Sequence, residues 1–362
     1  MANPILQLLE ALRNMFTCDI GIDLGTANTL VYMKGRGIII REPSVVAVDA
    51  RTDELRVRCV GHEAKAIIGA APNSILAVRP LKDGVIADFD IAASMLQLFI
   101  KKTLGSVTFN RPRVVICIPS GVTAVERRAV REVAFKAGAR QVAIVEEPMA
   151  AAIGAGLPVA EPTGCMVVDI GGGVTDVAVY YRNVVRYIAT IPMGATAINR
   201  DIRTMSVPEK HVESLKQKYG SAVAELAPED KLIRVNGRTA REAKDILLRN
   251  LATVIEARAT DIAEFVLQEI KDSGYIGKLA YGIVLTGGSA KLKDLDELFR
   301  RVTGMDVRVA SAETGIAEES KEKAADPAYA TAVGILLKGA EQGACAFVER
   351  PVARPAEQQG FR

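Results

Sequence analysis

Two short segments place a carboxylate where an apolar strand meets a glycine turn. Asp19 to Thr29 reads DIGIDLGTANT, and Asp169 to Asp176 reads DIGGGVTD. In each, an aspartate (Asp23 or Asp169) ends the strand-forming run. A carboxylate in such a place is costly unless it is paired or lies near a cation. Glycine lets main-chain N–H groups approach an anion without a Cβ clash. Gly25, Thr26, Ala27 and Asn28 on one side, with Gly171, Gly172 and Gly173 on the other, read as two turns suited to clamping a polyphosphate. A Mg2+ ion on the phosphate oxygens, contacted largely through water because it dehydrates reluctantly, would supply the charge that Asp23 and Asp169 need. The plainer reading is two hairpins with polar ends. The same order of strand, turn, strand, turn, strand follows from both segments, which suggests an internal duplication and favours the clamp.

Three more stretches carry candidate chemistry. Glu146-Glu147-Pro148 closes a strand, and Pro148 suits the first turn of the helix that follows. A carboxylate there can hold or deprotonate a water in line with a terminal phosphate, although acidic residues also precede helices for dipole reasons. The run Ile283 to Ala290, IVLTGGSA, reads as strand, glycine turn, helix. Its main chain at Gly287, Gly288, Ser289 and Ala290 suits the face of a nucleobase or ribose. Glu213-Ser214-Leu215-Lys216 lies on a helix, with Glu213 and Lys216 on one face. The glutamate can accept from ribose hydroxyls while the lysine stem lies along a purine; a surface ion pair satisfies the same spacing.

The elements that must position these residues are legible from periodicity. Strands are expected at 19–23, 29–33, 37–41, 113–118 and 142–146, and again over CMVVDI, VTDVAVYY and VVRYIATI from residue 165. Further strands are expected at 231–235, 282–286 and 306–310, with helices near 92–104, 123–137, 195–204, 208–218, 243–272, 291–302 and 327–339. Residues 42–90 are punctuated by proline and glycine and read as irregular, and the chain beyond Gly343 reads as a flexible tail. Residues 4–16 place Ile5, Leu8, Leu9, Leu12 and Phe16 on one helical face. That helix either packs on its own domain or lies in a membrane interface, and Glu10 argues against a signal peptide.

The bulk numbers exclude several classes. The 362 residues suffice for two domains. A net charge of +3, with lysine and arginine scattered, gives no stripe for nucleic acid. Two histidines and five cysteines without a CxxC pair argue against zinc and for reduced thiols in a cytoplasmic setting. No apolar run reaches the roughly 18 residues of a membrane span.

DIGIDLGTANT, VVICIPSGVTAVERRAV, VEEPMAAAIGAGLPV and MVVDIGGGVTDVAV together resemble the MreB family of bacterial actin-like rod-shape proteins, over residues 17 to 190. EPSVVAVDA and GVIADFD look like the small outer subdomain which that family inserts in its first domain. From a junction near 185–195, PMGATAINRDI and LAYGIVLTGGSAKLKDLDELFRRVTGMDVRV look closer to FtsA, the actin-like tether of cell division. The resemblance implies an α/β actin/heat-shock ATPase/sugar-kinase fold, with two duplicated ribonuclease-H-like domains around a nucleotide cleft. It implies domains at 17–160, with the insert at 42–90, and at 161–340, with an outer part at 200–275, between a membrane-binding helix at 1–16 and a tail at 341–362.

By motif it also implies that Asp23 and Asp169 lie near Mg2+, that Glu147 positions the hydrolytic water with help from Thr175, and that Glu213 to Lys216 and Gly287 to Ala290 meet ribose and base. Ser289 stands where a third glycine is common in that family, and Val174 where threonine is. The implied function is a slow ATPase, binding ATP or ADP, that polymerises head to tail on the inner membrane surface. Cell-wall elongation proteins would be its partners, and Val107 and Phe109 a second apolar membrane contact. The FtsA-like part would instead imply an adaptor for FtsZ. A sugar kinase or chaperone-type ATPase is the remaining class on the same fold.

Overall fold

Strand β1 (Asp19–Leu24) alternates strictly. Ile20, Ile22 and Leu24 are buried in one core, whereas Gly21 and Asp23 face the other way. That period of two recurs in every strand bordering the centre of the molecule and decides which side chains meet there. The computed structural model describes residues 19–25, 27–33, 36–49, 56–67, 75–82, 85–104, 112–118, 122–159, 161–182, 184–235, 243–310, 325–340 and 348–349. Ile5, Leu8, Leu9, Leu12, Phe16, Thr26, Val107 and Phe109 lie outside them.

Two sheets share one topology. The first runs β18 (Val348–Glu349), β10 (Gln141–Glu146), β9 (Arg113–Ile118), β1, β2 (Asn28–Met33), β3 (Gly37–Pro43). The second runs β13 (Val184–Ile191), β12 (Thr175–Tyr181), β11 (Cys165–Ile170), β16 (Ile283–Thr286), β17 (Val307–Val309). In each the first three strands form an antiparallel meander, and the next two add in parallel beside the first. The expected duplication is thus visible as strand order. Val348–Glu349, within the expected tail, pairs with Gln141 and Val142.

Helices α2 (Phe89–Leu104) and α3 (Ala124–Lys136) cover the outer face of the first sheet, where Phe99, Ile100, Val130 and Phe135 join Ile20, Ile22 and Ile116. A capping box starts α3: Thr123 Oγ1 accepts from the Glu126 N–H while Glu126 accepts from the Thr123 N–H. Such a box is worth about 1 kcal/mol. On the second sheet α5 (Ala195–Thr204), α6 (Glu209–Tyr219), α7 (Leu248–Ser273) and α8 (Leu295–Thr303) bury Ile198, Leu215, Ile255, Ile262 and Phe299 against Met166, Val168 and Ile170.

Between the sheets lie α4 (Glu147–Gly154) and α9 (Ala330–Ala340). Ala150 of α4 and Ile335 of α9 pack on Val115, Cys117, Ala143 and Val145, while Ala151, Ala152 and Ala330 pack on Cys165, Val167 and Ala178. The two helices cross at Gly154 and Gly334, where an added Cβ would overlap the facing main chain at Ala330 or Ala150.

Two local expectations are corrected. Residues 42–90 are not irregular: β4 (Val46–Asp49) pairs with both β5 (Arg56–Val60) and β6 (Ile75–Val78), beside the short helix α1 (His62–Ile67) and the β7–β8 hairpin (Leu81–Lys82, Val85–Ile86). Short strands broken by turns leave too little periodicity for a sequence reading. The stretch 243–272 does not start as helix: β15 (Lys244–Leu247) pairs with β14 (Leu232–Val235) before α7 begins at Leu248.

Candidate functional site

The carboxyl ends of β1, β9, β10, β11 and β16 converge, the usual place for a ligand on open α/β sheets. Side-chain parity selects what arrives. On β10 Val142 and Ile144 face the outer core, while Ala143 and Val145 face α4 and α9. Glu146 continues the outer set and accepts from Arg127 of α3 at 2.9 Å, leaving Glu147 as the inward member of the pair. On β11 Met166, Val168 and Ile170 face outward, so Asp169 shares the inner face with Cys165 and Val167. Antiparallel register sets Asp176 directly opposite Asp169.

Four carboxylates therefore gather: Asp23, Glu147, Asp169 and Asp176. Burial, then the Asp169 charge, raises the pKa of Asp23 to about 7. Burial and the Asp176 charge raise Asp169 to about 7 against the hydrogen bond from Thr331, whose Oγ1 donates to Asp169 Oδ2 at 3.0 Å. Asp176 rises to about 6 through burial, offset by the 2.6 Å bond from Thr190. Glu147 is pushed well up by burial and then by Asp23, Asp176 and Asp169. Asp23 keeps some surface open to the cleft although protein encloses it. Burial first, and then the charges of the same group, push the Cys117 thiol, beside Asp23 in the parallel register, well up. Among the described residues no three such side chains stand close enough to hold a metal ion by themselves. Among the described residues no lysine or arginine forms an ion pair with this acidic group, which suits a divalent cation brought in on another anion.

The two glycine turns face each other. An added Cβ on Gly172 would come within 3.1 Å of Ala27 Cβ, so the second turn lies against the first. Ser44 fixes the first: its Oγ donates to the Gly25 carbonyl at 2.6 Å and its N–H to the Ala27 carbonyl at 3.0 Å. The N-terminus of α5 fixes the second, with Ala195 and Thr196 N–H donating to the carbonyls of Gly171 and Gly172 at 3.1 and 2.8 Å. Among the described residues the N–H groups of Gly172 and Gly173 have no acceptor, as an anion-binding turn requires. Thr175 is fully buried and its hydroxyl donates to the Met193 carbonyl at 2.8 Å, which spends its proton away from the cleft.

The third loop joins the same site. Gly287 has φ +85°, and a side chain there would overlap Asp169 Oδ1. Ser289 Oγ donates to the Gly171 carbonyl at 3.1 Å, so this serine ties the IVLTGGSA loop to the second glycine turn. Glu213 takes three bonds: from Asn199 Nδ2 (2.7 Å) and Lys216 Nζ (2.9 Å) on Oε2, and from Gln217 Nε2 (2.8 Å) on Oε1. Burial alone would raise its pKa, but these donors and the Lys216 charge lower it, so Glu213 is ionised. Lys216 is buried while Ser214 is exposed; Leu215 packs in the core, where it seats the helix. Three residues past α6, Ala222 N–H donates to the carbonyl of Lys293, which follows the loop, at 2.8 Å.

Sequence reading missed Asp176, Thr190, Thr331, Ser44, Gly194 and Asn199. Only Asp176 had a signal, since a tight turn after Asp169 sets it opposite by register. The others come from distant elements and needed the fold.

Known proteins resemble this chain over most of its length. The family model described as MreB/Mbl protein matches residues 17–328. The cell shape-determining protein MreB of Escherichia coli K12 is 43% identical over 329 residues, covering 84% of this chain and 92% of its own. Mbl of Bacillus subtilis is 38% identical over 313 residues, covering 82% and 92%. Among solved structures, MreB5 of Spiroplasma citri bound to AMPPNP superposes with a TM-score of 0.74 at 27% identity, covering 89% of this chain and 96% of that one; the same protein was solved bound to ADP. EutJ of Carboxydothermus hydrogenoformans, at 21% identity and a TM-score of 0.55, shares the fold. One family model runs across the 185–195 junction, so the comparisons do not confirm an FtsA-like second half and give no support to an FtsZ adaptor.

Proposed function

The chain belongs to the MreB/Mbl family of actin-like, cell shape-determining proteins, and from that premise we propose that it is a nucleotide-gated filament former. The observation that carries this is the uncompensated cluster of Asp23, Glu147, Asp169 and Asp176 beneath two glycine turns in contact. ATP with Mg2+ fits it. Asp23 and Asp169 would hold the ion, mainly through water, and it would supply the positive charge that they lack. The turns at Gly25–Asn28 and Gly171–Gly173 grip the phosphates from both sides. Gly287–Ala290 and the helix of Glu213 and Lys216 take base and ribose. Glu147, the inward carboxylate at the end of β10, would orient a water against the terminal phosphate and accept its proton.

Hydrolysis then acts as a slow timer. The two turns lie on different sheets, so a terminal phosphate held by both would, on its loss, relax the cleft and the contacts between subunits. Head-to-tail contacts build open filaments rather than rings. Residues 1–16, with Val107 and Phe109, would hold the filament on the inner membrane surface, beside the cell-wall elongation proteins. Among the described residues no helix is long and apolar enough to cross a membrane.

Electron microscopy with ATP, Mg2+ and anionic liposomes tests the reading. Filaments lying on the liposomes are expected, and deleting residues 1–16 should leave filaments free of lipid. A chain that binds ATP yet forms no filaments in any nucleotide state overturns the filament reading, and membrane binding that survives the deletion overturns the anchor.

A further inference from the structure

Glu213 is held by two donors from its own helix and one from outside. Lys216 and Gln217 lie three and four residues along α6 and move with Glu213. Among the described residues Asn199 alone bonds the carboxylate from another element. Its helix, α5, is also the one whose first turn seats the second glycine turn, through Ala195 and Thr196. Arg258 of α7 pins α5 through Asp201 at 2.6 Å, so the helix is fixed on its far side as well. A rigid connection therefore runs from the phosphate end of the cleft to the carboxylate at the sugar end.

The amide is a poor choice for filling space. Asn199 Nδ2 reaches Glu213, but Oδ1 is buried without a partner among the described residues. A buried carbonyl left unpaired is unfavourable, and leucine of similar size would avoid it. The residue makes sense if its task is to aim the carboxylate.

Resting on the nucleotide reading above, we infer that Asn199 is a positioning residue for ribose recognition: with Lys216 it fills Glu213 Oε2 and holds the carboxylate where Oε1, which keeps one acceptor site beside its bond from Gln217, can accept from a sugar hydroxyl, at a distance from the phosphate turn fixed by α5. The ligand class is then a ribonucleoside triphosphate, distinguished from its deoxy analogues. Asn199 itself need not touch the ligand.

Isothermal titration calorimetry of the full chain with Mg2+ and either ATP or 2′-deoxy-ATP tests this. The wild-type chain should prefer ATP by roughly tenfold, the worth of one hydrogen bond to a charged group. In Asn199→Leu the preference should fall to near unity, with affinity for 2′-deoxy-ATP changed less than about twofold. Asn199→Asp, of equal size but unable to donate, should behave the same, and covers the case in which the leucine variant folds poorly. Equal weakening of both nucleotides, or an unchanged ratio, overturns the inference and leaves the nucleotide reading standing. A wild-type chain that binds neither nucleotide overturns that reading and this one together.

Discussion

The two sheets have the same strand order and very different ends. In the first, Asp23 faces Leu30 across the hairpin, and Cys117 flanks it in parallel. In the second, Asp169 faces Asp176, and Thr286 flanks it. The first half gives the site one strand-end aspartate and, from the end of β10, Glu147. At the corresponding end of the second sheet, β17 leads into Ala310 instead. What the second half adds is the loop after β16 and the helix carrying Glu213. Under the proposed function, a duplicated scaffold would divide the labour: water and hydrolysis on one side, charge density and nucleoside on the other. The scaffold fixes where strand ends meet, and the residues just past those ends decide the chemistry.

The sharpest way to break this division is at Glu147. Glu147→Ala should slow phosphate release by about 100-fold or more, with ATP affinity changed only a little. Single-turnover phosphate release measured beside calorimetric binding separates the two effects. Hydrolysis at the wild-type rate would place the water-handling group elsewhere and erase the asymmetry between the halves.

A smaller effect is expected at the support of the second turn. A Cβ on Gly194 would lie 2.6 Å from the Gly171 carbonyl oxygen and 2.8 Å from that of Gly172. Gly194→Ala should therefore push the turn off the first residues of α5, costing about 1–3 kcal/mol and weakening ATP on the order of tenfold. At Gly288 a Cβ meets open space, so Gly288→Ala should leave the melting temperature of the nucleotide-free chain unchanged. Thermal melts of both variants check the contrast. A Gly194→Ala chain as stable as wild type would mean that the turn adapts.

How much of this was readable follows from where each residue sits. Asp23, Asp169 and Glu147 announced themselves because a carboxylate next to an apolar strand needs a reason. The glycine turns were legible because their spacing repeats. Parity could have separated Glu147 from Glu146, since the side chains of β10 alternate between two cores. Thr331, Thr190, Asn199 and Ser44 were not legible, because each reaches the site from an element whose own pattern says only helix or strand. The small sheet of β4, β5 and β6 was hidden by strands of four and five residues. The FtsA-like reading of the second half found no support, because it rested on local stretches whereas one family model matches residues 17–328.

The smallest expected effect probes the charge itself. Asp23 has an ordinary pKa of 3.8 that burial and Asp169 raise to about 7. For an acid shifted upward, the unfolded chain ionises first, so the stability present below about pH 4 is lost as pH climbs toward about 7. Asn in its place has no charge to bury. Without nucleotide, Asp23→Asn should melt slightly above wild type at pH 5 and above it by about 2–4 °C at pH 8. Adding Mg2+ and ATP should reverse the order at pH 8, because the ionised aspartate then has a cation to face. Asp176→Asn should behave similarly over a narrower range, since Asp176 rises only to about 6 and keeps its bond from Thr190. Differential scanning fluorimetry across pH 5 to 8 reads all three chains. Because the Asp169 charge contributes to the rise at Asp23, the comparison concerns both residues rather than Asp23 alone. A variant-minus-wild-type difference that stays flat with pH would show that Asp23 is solvated well enough to ionise freely, and the case for a cation between the two halves would lose its electrostatic basis.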